Sequence, residues 1–245
     1  HKQAALQRQL SCLPSPNAMR GIDQAVAILR QALVEQQRIL IIGDFDADGA
    51  TSSALMILAL RAMGYQHVDF LVPNRFDYGY GLTPEIVDLA IQRQPQLLIT
   101  VDNGISSIDG VAHANGLGMQ VIVTDHHLPA ATLPAAAAIV NPNQPDCQFP
   151  SKNLAGVGVA FYLLSALRGQ LRDSNWFADN SITEPNMANW LDLVALGTVA
   201  DVVPLDQINR ALVHQGLLRI RAGHCRPGIK ALLTIAGKLP HRLVA

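Results

Sequence analysis

Apolar residues recur along this chain in two alternating periods. Over residues 21–37 they fall at helical spacing (Ile22, Val26, Leu29, Leu33), which predicts an amphipathic helix. Residues 38–42 form a short β-branched run that predicts a buried strand. A helix over 50–63 and a strand over 68–72 follow. Thr83 suits a helix N-cap, with Pro84 at the first helical position. Residues 97–101 and 121–124 read as further strands with a helix between them, and 137–140 as a weaker strand. The alternation predicts an α/β fold, a Rossmann-like, mainly parallel sheet flanked by helices.

From about residue 150 the period becomes helical throughout. Helices are expected over 154–167, 187–199, 209–221 and 228–235, with a loop carrying Trp176, Asp179 and Asn180 between the first two. No repeat and no linker interrupts the chain. It reads as one domain over 1–245, with an α/β sheet part over about 1–150 and a mainly helical C-terminal segment over about 151–245.

The polar residues cluster where strands end. The first strand runs into Gly43-Asp44-Phe45-Asp46-Ala47-Asp48-Gly49, the 97–101 strand into Asp102-Asn103-Gly104, and the 121–124 strand into Asp125-His126-His127. In an open α/β sheet, ligands bind beyond the carboxyl ends of the strands. Three ends carrying Asp and His therefore converge on one rim. Oxygen ligands with imidazole suit divalent manganese, or magnesium with less preference for imidazole. Carboxylates crowded on one rim would repel each other without a cation, so two ions are expected. Such a pair, about 3.5–4 Å apart, can generate hydroxide and stabilise an in-line phosphoryl transition state.

The first cluster is not an EF-hand loop, because position 12 is Leu55 instead of Glu and a strand precedes it where a helix is needed. Asp201, within the apolar segment 196–204, is either a cap or buried hydrogen-bond partner or a further metal-binding carboxylate. Gly156 and Gly158 open a helix but fail the GxGxxG pattern, since Phe161 takes its last position. Their backbone amides are candidates for holding a substrate phosphate, with tight helix packing as the alternative. In the stretch after the second strand, Arg75 could clamp a phosphate and Tyr80 could stack on a base or sugar, the alternative being a Gly-rich surface loop. His67, His113, His214, His224 and His241 lack clustered partners and read as surface or structural residues.

Composition changes this picture in one respect. A hydrophobic content of 49% over 245 residues suffices for a sizeable core and excludes general disorder. Aromatics, at 5%, are too few to pave a base-stacking surface, and a net charge of −1 lacks the usual basic footprint of a nucleic-acid binder. The charge is uneven, however. All seven basic residues after Gln207 stand without an acid, and residues 1–206 hold eleven basic against nineteen acidic side chains. Six of those acids belong to the rim clusters and Asp201. Two divalent ions would carry the chain from −1 to +3, so the neutral total does not exclude a nucleic-acid substrate. The basic stretch over 207–245 is a candidate for tracking phosphates or docking a further domain, or is a solvated helix surface.

Cys12, Cys147 and Cys225 are few, odd in number and far apart, which suits a reducing compartment and gives no zinc pattern. No apolar run approaches a membrane span, and the N-terminus does not read as a signal peptide. The expectation is a cytoplasmic fragment of a longer chain with no membrane association.

The segments GDFDADGATS (43–52), VPNRFDYGYGL (72–82), TVDNGISS (100–107), VTDHHLP (123–129), NPN with FPSKNLAGVGVAF (141–161) and ALGTVADVVPL (195–205) together resemble the DHH phosphoesterase superfamily. Within it they are similar to the branch of single-strand-specific 5′→3′ DNA exonucleases, and the similarity runs from about residue 20 to the end. The resemblance implies metal binding by Asp46, Asp48, Asp102, His126 and Asp201. It implies a catalytic or phosphate-contacting role for His127, with Asp44 and Asp125 orienting the ligands, and strand contacts from Arg75 and Tyr80. Asn103 and Gly104 would shape the turn at the metals. Pyrophosphatases of the superfamily carry a metal-binding His where this chain has Ile42, which favours the exonuclease branch. The second, DHHA1-type domain typical of these enzymes is expected to be missing, leaving an N-terminal catalytic core.

The expected function is thus a manganese- or magnesium-dependent phosphodiesterase that degrades single-stranded DNA from the 5′ end to mononucleotides in repair and recombination. Its expected partners are single-stranded DNA and single-strand-binding protein. The alternatives are a DHH enzyme for short oligonucleotides or small nucleotides, and a non-catalytic DNA-binding scaffold, which would show eroded metal ligands.

Overall fold

The computed structural model describes residues 9–244, apart from the side chain of Arg75. In chain order the elements are α1 (Ile22–Val34), β1 (Ile39–Gly43), α2 (Ala47–Ala62), β2 (Val68–Leu71), a one-turn α3 (Arg75–Tyr78), α4 (Pro84–Ile91), β3 (Leu97–Val101), α5 (Ile108–Gly116), β4 (Gln120–Thr124) and β5 (Ala138–Val140). There follow α6 (Gly156–Asp173), a one-turn α7 (Trp176–Asp179), α8 (Leu191–Ala200), α9 (Gln207–Arg221) and α10 (Pro227–Ile235).

The five strands form one parallel sheet in the order β2-β1-β3-β4-β5. β1 and β3 are buried at every position, as their largely apolar sequences require of central strands covered on both faces. Side chains alternate between the faces. Ile39, Ile41, Leu97 and Ile99 join α1, α2, α6 and α8 in one core. Leu40, Ile42, Leu98, Val121 and Val123 meet Ile86 and Val87 of α4 and Val111 of α5 in the other. Each fully buried Leu or Ile contributes about 1.5–3 kcal/mol, so the two cores hold the rim of the sheet on a rigid base.

The chain leaves β1 for β2 on one side and then crosses to β3 on the other, so the topological switch point lies between β1 and β3. The register matters more. Gly43 pairs with Val101, Val101 with Thr124, and Thr124 with Val140. The residues that follow these positions are Asp44, Asp102, Asp125 and Asn141. Four strands therefore deliver four polar side chains to one level of one rim.

Three local expectations need correction. Helix α2 starts at Ala47, three residues earlier than its apolar pattern suggests, because Asp46 accepts the Gly49 N–H and caps it. The segment 187–199 is a 3₁₀ turn (Met187–Trp190) leading into α8, not one helix. The Trp176 segment, expected as a loop, closes the single turn α7, anchored by the Trp176 indole N–H to the Met63 carbonyl at 3.0 Å.

Candidate metal centre

The turn after β1 is built from its own carboxylates. Asp44 accepts the Phe45 N–H at 2.8 Å, and Asp46 caps α2. Asp48, one position into the helix, is buried and reaches across the core. Its Oδ2 accepts the Gly156 N–H at 2.6 Å and its Oδ1 the Val157 N–H at 2.9 Å. The amides opening α6 are thus taken up by a carboxyl group of the protein itself. This corrects the expectation that Gly156 and Gly158 bind substrate phosphate: both are buried, and the amide of Gly156 is already occupied. The packing reading is the one the structure supports. A Cβ on Gly156 would lie 2.6 Å from Asp102 Oδ1 and 2.7 Å from its Cβ.

Asp102 leaves β3 with φ at +63°, a left-handed conformation uncommon for a non-glycine residue. That bend turns its buried carboxylate toward His126, with Oδ1 lying 3.1 Å from Nε2. Nε2 is in turn 3.5 Å from Oδ2 of Asp201, which caps the C-terminus of α8. None of these three atoms makes a hydrogen bond, although all three are buried. What sets these three apart is that they converge on one point and that each is a potential metal ligand, an arrangement a cation between them would satisfy. Ligand atoms fall into three overlapping groups, each within 4.8 Å: Asp44, Asp46 and Asp102; Asp48, His126 and Asp201; and Asp102, His126 and His127. Asp102 and His126 each belong to two groups, so the cluster is continuous. Carboxylate oxygens with imidazole are the donors that manganese and magnesium accept, and the residues present fit a pair of such cations.

Crowding and burial act on the acids. Burial, then the nearby Asp46 and Asp125, push Asp102 up to about 9. Burial and the charge of Asp102 hold Asp48 well above the usual carboxylate range, against the Val157 N–H. Burial raises Asp201, against the pull of His126.

His127 is organised separately. Its Nδ1 lies 2.7 Å from Asp125 Oδ1, which also accepts the backbone N–H groups of His126 and His127 at 2.7 and 3.1 Å. Asp125 Oδ2 accepts the Ile105 N–H at 2.9 Å. Burial alone would raise Asp125, but the His127 hydrogen bond and charge, with these amides, keep it below its ordinary range. The bond to Asp125 raises His127 to about 9 against its own partial burial, which favours the protonated imidazole. The Tyr80 hydroxyl lies 3.3–3.4 Å from the ring nitrogens of His127. Its phenol is held protonated by burial and by the surrounding acids. Beyond this pair opens a cavity of about 520 Å³, lined among others by Leu82, Ile105, Ser107 and Ile108.

The structure therefore brings Asp44, Asp46, Asp48, Asp102, Asp125, His126, His127, Asp201 and Tyr80 together. Arg75 opens α3, but its side chain lies outside the described residues. Asn103 ties the strand ends, donating to the carbonyls of Ile42 and Val101 at 3.1 and 2.9 Å. His113 sits on the surface against Asp88.

Gly197 was not legible as a site residue. A Cβ there would stand 2.2 Å from Thr51 Oγ1 and 2.9 Å from Asp48 Oδ1, so its absence lets α8 approach α2 and deliver Asp201. A glycine inside an apolar helical run was the available signal.

A family profile described as "DHH family, N-terminal domain" matches residues 38–198. The single-stranded-DNA-specific exonuclease RecJ of Salmonella typhimurium is 62% identical over 98% of this chain and 42% of its own length. The protein of that name from Thermus thermophilus is 38% identical over 83% of this chain and 28% of its own. The chain thus spans less than half the length of the curated relatives it matches. Among solved structures, exonuclease RecJ bound to manganese superposes with a TM-score of 0.77 at 37% identity, covering 91% of this chain and 53% of that one. RecJ from Thermus thermophilus in complex with Mg2+ gives 0.59 at 32% identity, covering 91% and 26%. With the profile spanning more than half of its residues and the Asp-His-His turn at the centre of its acidic rim, the chain belongs to the DHH family.

Proposed function

We propose that this chain is the metal-dependent catalytic core of a nuclease that degrades single-stranded DNA from its 5′ end to mononucleotides. The observation that carries the proposal is the convergence of three buried ligand atoms, with His126 Nε2 3.1 Å from Asp102 Oδ1 and 3.5 Å from Asp201 Oδ2, beside a His127 held by Asp125. The curated relatives named above are exonucleases specific for single-stranded DNA, and the solved relatives hold manganese or magnesium.

We assign the metal-holding roles to Asp46, Asp48, Asp102, His126 and Asp201, with Asp44 completing the group around Asp46. When bound, two divalent cations supply positive charge beside the scissile phosphate and make water a stronger nucleophile at neutral pH. The rest is done by side chains. Asp125 holds Nδ1 of His127, so the proton to be moved to the departing oxygen is the one on Nε2, which lies 3.4 Å from the Tyr80 hydroxyl. Tyr80 steadies that ring edge-on, with the ring centroids 5.9 Å apart. Arg75 is proposed to contact the phosphate backbone.

Partners follow from the substrate: single-stranded DNA, and the single-strand-binding protein that covers it. No described helix is long and apolar enough to cross a membrane, and we place the protein in the cytoplasm. The chain is proposed to act as one catalytic domain over 1–245.

The test is digestion of single strands labelled at the 5′ or the 3′ end, with manganese. Release of 5′-labelled mononucleotide first is expected. Attack from the 3′ end, or hydrolysis confined to dinucleotides and nucleotide phosphates, would overturn the reading.

A further inference from the structure

The segment Asn141-Pro142-Asn143 takes no part in the reaction above, yet it is laced to the metal centre at two points. β5 ends at Val140 beside Thr124 of β4, so the chains leaving these strands run side by side. Asn141 Nδ2 donates to the carbonyl oxygen of His127 at 3.0 Å. Asn143 Nδ2 donates to the carbonyl oxygen of His126 at 2.6 Å and to that of Lys152 at 3.3 Å. Asn141 is fully buried, and its Oδ1 accepts the Asn143 N–H at 2.7 Å. That bond decides which end of the Asn141 amide faces His127. Pro142 restricts Asn141 to extended backbone, and its carbonyl accepts from Lys152 Nζ at 2.5 Å.

The two histidines this clamp holds have stacked duties. Their ring centroids are 4.4 Å apart, but His126 faces Asp102 and Asp201 while His127 faces Asp125 and Tyr80. Fixing the carbonyl of each residue limits rotation of its peptide plane, and with it the aim of its ring.

We propose that Asn143 and Asn141 are separate positioning residues, Asn143 aiming His126 at the cations and Asn141 aiming His127 at the departing oxygen. The proposal rests on the metal-centre reading above. Partners that orient metal-bound side chains are worth roughly 10–100-fold in affinity or activity.

Calorimetric titration of the 245-residue chain with manganese, together with kinetics on end-labelled single strands, tests it. Asn143→Ala is expected to weaken manganese binding about tenfold or more with KM unchanged, and Asn143→Ser to recover part of the loss. Asn141→Ser is expected to lower kcat about tenfold with manganese affinity within about twofold. Circular dichroism identifies folded variants, and the Ser forms carry the comparison if Asn143→Ala does not fold. His126→Ala is the reference. If it loses manganese while the Asn143 variants bind it like the unsubstituted chain, the clamp proposal is overturned and the metal centre stands. If His126→Ala binds manganese unchanged, the metal-centre reading fails and the clamp falls with it.

Discussion

Asp48 and Gly156 lie 108 residues apart in sequence and are joined by one 2.6 Å hydrogen bond. Through it the first turn of α2 caps α6, and a Cβ on the same glycine would strike Asp102. Helix packing and metal-site geometry therefore meet at a single residue. Gly156→Ala is expected to cost about 1–3 kcal/mol of stability, the usual penalty for overpacking a tight core. It should also weaken manganese binding, because the displaced group is the Asp102 carboxylate. Denaturant titration and manganese titration of the variant check both, and a variant with unaltered metal affinity would argue against the close contact.

Gly197→Ala probes the approach of α8 to α2. The added methyl would meet Thr51 Oγ1 and Asp48 Oδ1, and α8 must shift to accommodate it. Asp201 rides on the end of that helix, next to Val202, whose φ of +59° is unusual for a β-branched residue and marks a sharply constrained exit. The expectation is weaker manganese binding together with about 1–3 kcal/mol of lost stability. The paired variant Thr51→Ser keeps the hydroxyl and should leave metal affinity within about twofold, since it adds no volume.

Much of this architecture was legible in the sequence, for physical reasons. β3 was readable to the residue because a β-branched, largely apolar run ending in Asp-Asn-Gly marks both its burial and its stop. The acidic rim followed from the rule that parallel strands end on one side. What escaped reading depends on distant partners. The α6 amides were legible as an acceptor-binding site, but nothing local to Gly156 announced that Asp48 would supply the acceptor. The left-handed bend at Asp102 is set by the tertiary site, since an aspartate after a strand ordinarily takes an extended or turn conformation. The 3₁₀ turn before α8 and the single turn α7 are short elements whose periodicity matches a longer helix or none.

The raised carboxylates predict how metal and pH are linked. Asp48, Asp102 and Asp201 all titrate above 3.8, their value in an unfolded chain, and Asp102 does so near 9. In the metal-free protein their contribution to stability is complete below pH 3.8 and is lost as pH rises toward 9, because the folded state then holds charges the unfolded chain accommodates better. Cations remove that penalty and displace the protons. Manganese should therefore raise the melting temperature more at pH 8 than at pH 5, and calorimetry in buffers of different ionisation enthalpy should show proton release. An equal thermal shift at both pH values would contradict the assignment of these acids to the metal site.

Asp125→Asn separates proton donation from metal binding. The carboxylate raises His127 to about 9 chiefly through their 2.7 Å hydrogen bond, so it keeps the imidazolium populated at neutral pH. An asparagine keeps the shape and an acceptor oxygen but removes the charge. His127 should then lose its proton at lower pH, and the alkaline limb of the kcat profile should move toward neutrality. His127→Ala, by removing the donor, should lower kcat roughly 10²–10⁴-fold, the range typical of general acid catalysis, and should abolish that limb. Manganese affinity should survive Asp125→Asn better than it survives Asp102→Ala, because Asp125 faces His127 and backbone amides while Asp102 faces His126. If the alkaline limb stays in place in Asp125→Asn, the proton on His127 is not the one the reaction uses.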